Sequence, residues 1–226
     1  MKSQPVKASK TDAQLKKDIL SELEYEPSVK ATDIGVLVND GTVTLNGFAT
    51  SYGEKYNAVT ATKRVAGVTA IADDIKVKFP GSLQRTDGDI AAAANVAIKW
   101  SSSIPTDSVQ VTVRDGWITI EGTVEWWYQK DAAEDLMQSM SGVTGVSNQI
   151  ALKPVLSATG VDASIRAAFE RSALLDASKI QVETSGSLVT LRGKVRNYSE
   201  RDEAERIAWA APGAYEVDNQ ISVSWF

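Results

Sequence analysis

One pattern occurs three times in this chain of 226 residues, and that repetition limits the possible architectures more than any other feature. Asp40-Gly41-Thr42-Val43-Thr44-Leu45-Asn46-Gly47 returns as Asp115-Gly116-Trp117-Ile118-Thr119-Ile120-Glu121-Gly122, offset by 116 − 41 = 75 residues. It returns again as Gly186-Ser187-Leu188-Val189-Thr190-Leu191-Arg192-Gly193, where 193 − 122 = 71, read with one extra residue in the turn. Downstream, Gly67-Val68-Thr69 to Ile75 matches Gly142-Val143-Thr144 to Ile150 and Gly213-Ala214-Tyr215 to Ile221. A period above 70 residues exceeds the roughly 20–50 residues of a solenoid repeat, so each copy is expected to be a small domain.

The periodicities assign elements within each copy. Leu15, Ile19 and Leu23 recur at helical spacing, and Ile90, Ala94, Ile98 and Ile165, Phe169, Ala173 are read as their equivalents. The helix is expected to end near Pro27 in copy one and before Pro105 in copy two. Alternating Ile34, Val36, Val38 and Val43, Leu45 flank the turn, as do Val109, Val111, Val113 and Ile118, Ile120, and Ile180, Val182, Thr184 and Val189, Leu191; this predicts a hairpin with one buried face. A second helix carries Ala58, Ala61, Val65, matched by Ala133, Leu136, Met140 and Ala204, Ile207, Ala211. Gly67, Gly142 and Gly213 then stop it, and a third strand carries Ile71, Ile75, Val77, matched by Val146, Ile150, Leu152 and Val217, Ile221, Val223. Gly41, Gly47, Gly116, Gly122, Gly186 and Gly193 are read as further structural glycines.

The expected fold is therefore α+β: three tandem α-β-β-α-β two-layer sandwiches, each with two helices on a three-stranded mixed sheet. Residues 1–10 read as a flexible N-terminus, followed by repeats at 11–80, 87–154 and 161–226 joined by short linkers. A unit of about 70 residues buries only about 60% of its unfolded surface, so the copies are expected to dock on one another. The second face of each sheet must then be solvated, packed on a neighbour or used for binding.

Composition narrows the chemistry. The chain has no Cys and no His, which removes disulfides, thiolate and imidazole catalysis and the common zinc and haem ligand sets. We expect no enzyme, no cofactor and no metal. The formal charge of −5 disfavours polyanions, hence nucleic acid, and no stretch approaches the ~20 apolar residues that span a bilayer. The N-terminus has no apolar segment of signal-peptide type, which points to the cytoplasm, with the periplasm as the alternative if a leader has been removed.

The α-β-β-α-β unit, the D-G-x-[VI]-T-[LI]-x-G hairpin and the G-V-x-x-V-x-N-x-I ending resemble the BON domain, a module of osmotically inducible and nodulation-associated bacterial proteins. The resemblance covers nearly the whole chain. Copy three departs from it in Ser185-Gly186-Ser187 and in a shorter connection after its first helix. It implies a non-catalytic, stress-associated protein that attaches to a phospholipid surface or a protein partner. The alternative reading is a small-ligand or ion-binding protein with its site between repeats.

Two constellations are candidates for such contacts. Trp117, Trp126, Trp127 and Tyr128 gather in copy two, the most acidic copy with four basic against nine acidic residues over 87–154. They either fill the seam between copies or present an external interface. In copy three Arg192, Lys194 and Arg196 alternate along one strand face, either as phosphate-binding donors or as members of solvated ion pairs with nearby Glu and Asp. Gly142-Val143-Thr144-Gly145 has the form of a backbone-clamping GXXG loop, and Asp73-Asp74 that of a hard-cation pair; their counterparts in the other copies lack both patterns, so a helix stop and a strand segment are the expected roles.

Overall fold

A computed structural model describes residues 10–81, 85–105, 107–153 and 160–224. The segments read as the N-terminal tail and most of both linkers lie outside the described residues. Copy one runs α1 (Asp12–Tyr25), β1 (Ile34–Asn39), β2 (Thr42–Ala49), α2 (Tyr52–Arg64) and β3 (Ala70–Val77). Copy two runs α3 (Asp87–Trp100), β4 (Val109–Arg114), β5 (Trp117–Val124), α4 (Trp127–Gln138) and β6 (Gly145–Leu152). Copy three runs α5 (Val161–Arg171), β7 (Ile180–Ser185), β8 (Leu188–Val195), α6 (Tyr198–Ala210) and β9 (Glu216–Val223).

Each copy forms its own three-stranded sheet, ordered β1-β2-β3, β4-β5-β6 and β7-β8-β9. The hairpin pairs are antiparallel and the last strand joins the centre in parallel, with Val43 opposite Ile71, Ile118 opposite Val146 and Val189 opposite Val217. A parallel partner requires a crossover, which α2, α4 and α6 supply. The chain is thus α+β, a tandem of three two-layer sandwiches, as the periodicity predicts.

Each unit has a separate core of fully buried aliphatic residues, including Leu15, Ile19, Leu23 and Leu45 in copy one and Ile90, Ile118, Ile120 and Met137 in copy two. In copy three the buried helix residues are Val161, Ile165 and Phe169. The sequence equivalence is therefore one turn out: Ile165 occupies the place of Ala94, and Ala173 lies exposed beyond the helix. Apolar residues at i, i+4, i+8 look alike after a slip of four, and only packing against the sheet fixes the register.

Two further readings of copy three are corrected. All three hairpins have two-residue turns, and Gly186-Ser187 occupies the positions of Asp115-Gly116 with no residue added. The connection after the first helix has the same length in each copy, and what is shorter is the helix: α5 has 11 residues against 14 in α1 and α3. These changes go together. The first residue of α1, Asp12, accepts hydrogen bonds from the backbone N–H groups of Asp40 and Gly41, and Asp87 does the same for Asp115 and Gly116. The corresponding residue of copy three is Ala158, which has no carboxylate, and there Gly186 (φ 61°) followed by Ser187 makes the turn instead of an Asp-Gly pair with positive φ at both residues.

One glycine position is obligatory in all copies. At Gly47, Gly122 and Gly193 φ is 116°, 143° and 148°, and a Cβ would overlap the carbonyl oxygen of Asp33, Ser108 or Lys179. These glycines let the strand before the first hairpin turn cross the central strand at backbone contact.

A buried polar residue at the third position of each second helix completes the framework. Glu54 accepts hydrogen bonds from the Lys30 N–H (2.9 Å), the Thr50 N–H (2.7 Å) and the Thr50 hydroxyl (2.7 Å). Glu200 accepts from the Arg196 N–H and guanidinium, and Gln129 from the N–H groups of Glu125 and Trp126. The Lys30 position in copy two is Pro105, which has no N–H, and there the acid is replaced by the neutral amide. Burial alone would raise the Glu54 pKa, but the Thr50 and Lys30 donors outweigh it and hold the carboxyl below its ordinary value. Because the folded pKa is depressed, this contribution is present above the unfolded value and is lost as pH falls through the folded one. Glu54→Gln is expected to destabilise the protein by about 1 kcal/mol at neutral pH, with the difference closing below about pH 4; urea unfolding at both pH values checks this.

Candidate binding surfaces

The second helices meet at the centre of the molecule, each touching the other two. Gly53 at the start of α2 lies against the Gln138 carbonyl at the end of α4, where an added Cβ would be 3.6 Å away. Lys63 in the last turn of α2 forms a 2.7 Å ion pair with Asp202 near the start of α6. The sense is head to tail, which sets a cation at one helix C-terminus against an anion at the next N-terminus.

The aromatic that opens each of these helices docks on another copy. Tyr198 packs against the core of copy one and donates its hydroxyl to the Thr69 carbonyl at 2.6 Å. Tyr52 packs against the core of copy two, where burial raises its pKa and a backbone hydrogen bond at Val146 opposes the rise. Trp127, the equivalent in copy two, is half-buried beside Leu174 of copy three. The seam reading of the aromatic cluster therefore holds for Trp127 and fails for its neighbours. Trp126 and Tyr128 are exposed near the start of α4, and Trp117 lies on the sheet.

A cavity of about 570 Å³ sits at this junction, lined by Tyr56, Lys63, Trp127, Asp131, Glu134, Asp202 and neighbouring α6 residues. Its charges are largely spent on each other. Arg206 holds Glu203 through two hydrogen bonds of 2.7 and 2.8 Å, Glu205 accepts from Asn219, and Glu134 accepts from Asn148. Asp131 is the exception: burial first, then Asp135 and Glu134, push its pKa up against the pull of Arg206. Lys130 is pushed down by burial and donates to the Ile150 carbonyl at 2.8 Å. These bonds tie α4 to β6, α6 to β9 and α2 to α6.

The opposite face of each sheet is uncovered. In copy one it presents Leu37 and Phe48, 58% and 46% exposed, with the Lys78 ammonium 3.3 Å from the Phe48 ring centroid. In copy two it presents Trp117, half exposed, with Thr112, Arg114, Thr119 and Glu121. In copy three it is polar and internally paired: Arg192 binds Glu183 at 2.7 Å and Gln220 at 2.9 Å. Lys194 is exposed on the same strand, while Arg196 is paired with Glu200 at 2.6 Å. The basic stripe is thus mostly neutralised by carboxylates, as the ion-pair reading expects, and does not form an open phosphate cradle.

Asp73, Asn148 and Asn219 each accept from the N–H two residues on, at 3.2 Å, and Asp73 also pairs with Lys55. They shape the last strand. α4 ends at Gln138 with Ser139 as its C-cap, Gly142 (φ 89°) lies in the turn beyond, and the Thr144 N–H donates to the Gly116 carbonyl, so this GXXG, expected as the helix stop, is the turn that leads from α4 into β6. Among the described residues no group of three or more acidic side chains is arranged to hold a metal, and no helix is long and apolar enough to cross a membrane. The buried Glu54, Gln129 and Glu200 and the docking role of Tyr52 and Tyr198 were not assigned from sequence, although Ser51-x-x-Glu54 and Asn197-x-x-Glu200 are helix-start signals that could have found the former.

Three α-β-β-α-β sandwiches with uncovered sheet faces and a shared helical seam define a tandem-module protein. The chain belongs to the BON domain family, whose pattern matches residues 11–78, 86–154 and 157–224. It is 31% identical over 146 residues to osmotically-inducible protein Y of Escherichia coli (strain K12), an alignment covering 63% of this chain and 73% of that protein. Among solved structures, CdsD, a structural protein of the type III secretion system of Chlamydia trachomatis, aligns over 93% of this chain and 92% of its own with 13% identity and a TM-score of 0.27. A second structure of CdsD, its C-terminal domain, gives 14% identity, coverage of 92% and 95%, and a TM-score of 0.25. Likeness at that level carries no weight beside the family match.

Two experiments test the seam. Tyr52→Ala combined with Tyr198→Ala is expected to split one thermal transition into at least two in calorimetry, because each released unit is marginal alone. Asp131 has a raised folded pKa, so the stability it gives below its unfolded pKa is lost as pH rises through the folded value. Asp131→Asn is expected to raise Tm by about 2 °C at pH 7 and to leave it unchanged near pH 3.

Proposed function

We propose that this protein is a non-catalytic adaptor of the osmotic stress response that contacts protein partners through its uncovered sheet faces. The observation that carries this reading is the sheet of copy one. It leaves Leu37 and Phe48 exposed on a sheet face that no helix covers, while the other face of the sheet is filled by the copy-one core. Leu37 stands opposite Thr44 and Phe48 lies four residues further along β2, so apolar side chains are exposed at both ends of this face, which marks it as a contact surface. The stress association rests on the relation to osmotically-inducible protein Y.

The charge distribution favours protein over phospholipid as the partner. The chain carries −5, and two of the three basic residues of the copy-three stripe are paired with carboxylates. An anionic bilayer would have to displace those pairs to gain about 1 kcal/mol per basic residue.

A photo-cross-linking residue at position 37 or 48 is expected to give discrete protein adducts in cells after hyperosmotic shock. The same residue at Val96, exposed on the outer side of α3, is expected to give none. Adducts from position 96 alone would reverse the assignment of the binding face. Flotation with anionic vesicles at low salt, abolished by Arg192→Ala with Lys194→Ala, would replace the protein partner by a lipid surface.

A further inference from the structure

The sheet of copy two differs from its relatives in a concerted way. Across the first pair of the parallel strands, copy one has Thr42 opposite Ala70 and copy three has Leu188 opposite Glu216, but copy two has Trp117 opposite Gly145. The indole lies so close over Gly145 that a Cβ there would overlap the ring. The absent side chain lets the ring lie down on the backbone of β6, which holds it in place at little conformational cost. Half of Trp117 remains open to solvent.

Around the ring is a depression of about 590 Å³, lined by Thr112, Arg114, Thr119, Glu121 and Thr144 besides the indole and Asp115. That volume is within the roughly 300–1,000 Å³ of small-molecule sites. Arg114 stands directly opposite Trp117 on β4, and Thr112 opposite Thr119. The side chains of Arg114 and Glu121 make no hydrogen bond or ion pair among the described residues. In copy three, Arg192 at the position of Glu121 is instead held by Glu183 and Gln220. Copy two therefore keeps one five-donor group, the Glu121 carboxylate and the Thr112 and Thr119 hydroxyls beside a fixed aromatic plane, while the Thr144 hydroxyl donates to the Asp115 carbonyl at 3.1 Å.

We infer that this Trp117 platform is a binding site for a neutral saccharide. A pyranose ring has an apolar C–H face, which suits the electron-rich indole plane, and a rim of hydroxyls that donate and accept in equal measure. Arg114 supplies donors, Glu121 an acceptor, Thr112 and Thr119 both, and Thr144 an acceptor. An anionic headgroup or phosphate fits poorly, because Asp115 and Glu121 border the ring and copy two carries nine acidic against four basic residues. The inference rests on the reading of the uncovered sheet faces as contact surfaces and gives the middle one a ligand class of its own, so that the protein joins a glycan to a partner held on copy one.

The test is a titration of the full chain, followed by the Trp117 indole and Gly145 amide signals in NMR. The probes are maltotriose, cellotriose and N-acetylchitotriose, each to about 20 mM, with tetramethylammonium and anionic phospholipid vesicles as contrasting probes. At least one trisaccharide is expected to give saturable shifts confined to this sheet, with a Kd of a few millimolar or tighter, about the strength of a shallow site. Trp117→Ala is expected to abolish them and Arg114→Ala to weaken binding about fivefold, with the amide spectrum away from this sheet unchanged in both variants. No shift with any trisaccharide, shifts that survive Trp117→Ala, or saturation by tetramethylammonium alone would overturn the inference. Cross-linking from positions 37 and 48 does not involve this sheet, so either result leaves the other standing.

Discussion

The structure depends on the contact between the aromatic that opens each second helix and the copy beside it. A sandwich of about 70 residues with a dozen or so buried aliphatic residues is close to the limit of independent stability. Tyr52 and Tyr198 each extend a neighbour's core, and half-buried Trp127 lines the cavity at the junction together with Leu174. The polar layer over this contact, Lys63 with Asp202 and Arg206 with Glu203, contributes orientation more than energy, because its members are partly solvated.

Closing the helices on one another decides what is left for function. The second helices have one side on their own sheet and another in the seam, so the uncovered strand faces and the outer sides of the first helices are the surfaces still available. They have diverged although the three backbones match strand for strand: an apolar pair in copy one, an aromatic platform in copy two and a self-paired polar lattice in copy three. The three copies thus present three different sheet surfaces on one chain. Several distinct surfaces on one chain suit the proposed adaptor.

The repeat made the architecture readable. Residues alternating about Asp-Gly turns and recurring at helical spacing placed every strand and nearly every helix of the three units. Where copy three was misread, the cause was a degeneracy: Ile165 and Phe169 fit two helical registers four residues apart, and the shorter α5 removed the landmark that would have chosen between them. The aromatic cluster shows a different limit. Trp117, Trp126, Trp127 and Tyr128 are neighbours in composition, yet a strand and a helix start carry them to three surroundings: an open sheet face, an exposed helix end and a buried seam.

What the sequence by itself determined is local and periodic: the three units, their elements, the turns and the glycines where a Cβ would strike a carbonyl. These follow from the dihedral preferences and the burial pattern of short segments. Only the tertiary structure decided which surfaces remain free. It showed that Arg192 and Arg196 are occupied by Glu183 and Glu200, that Trp127 is withdrawn into the junction, and that Trp117 lies flat because Gly145 across the strand has no side chain. Each of these is a contact between residues of different segments, set by the geometry of packing, and no single segment contains the information.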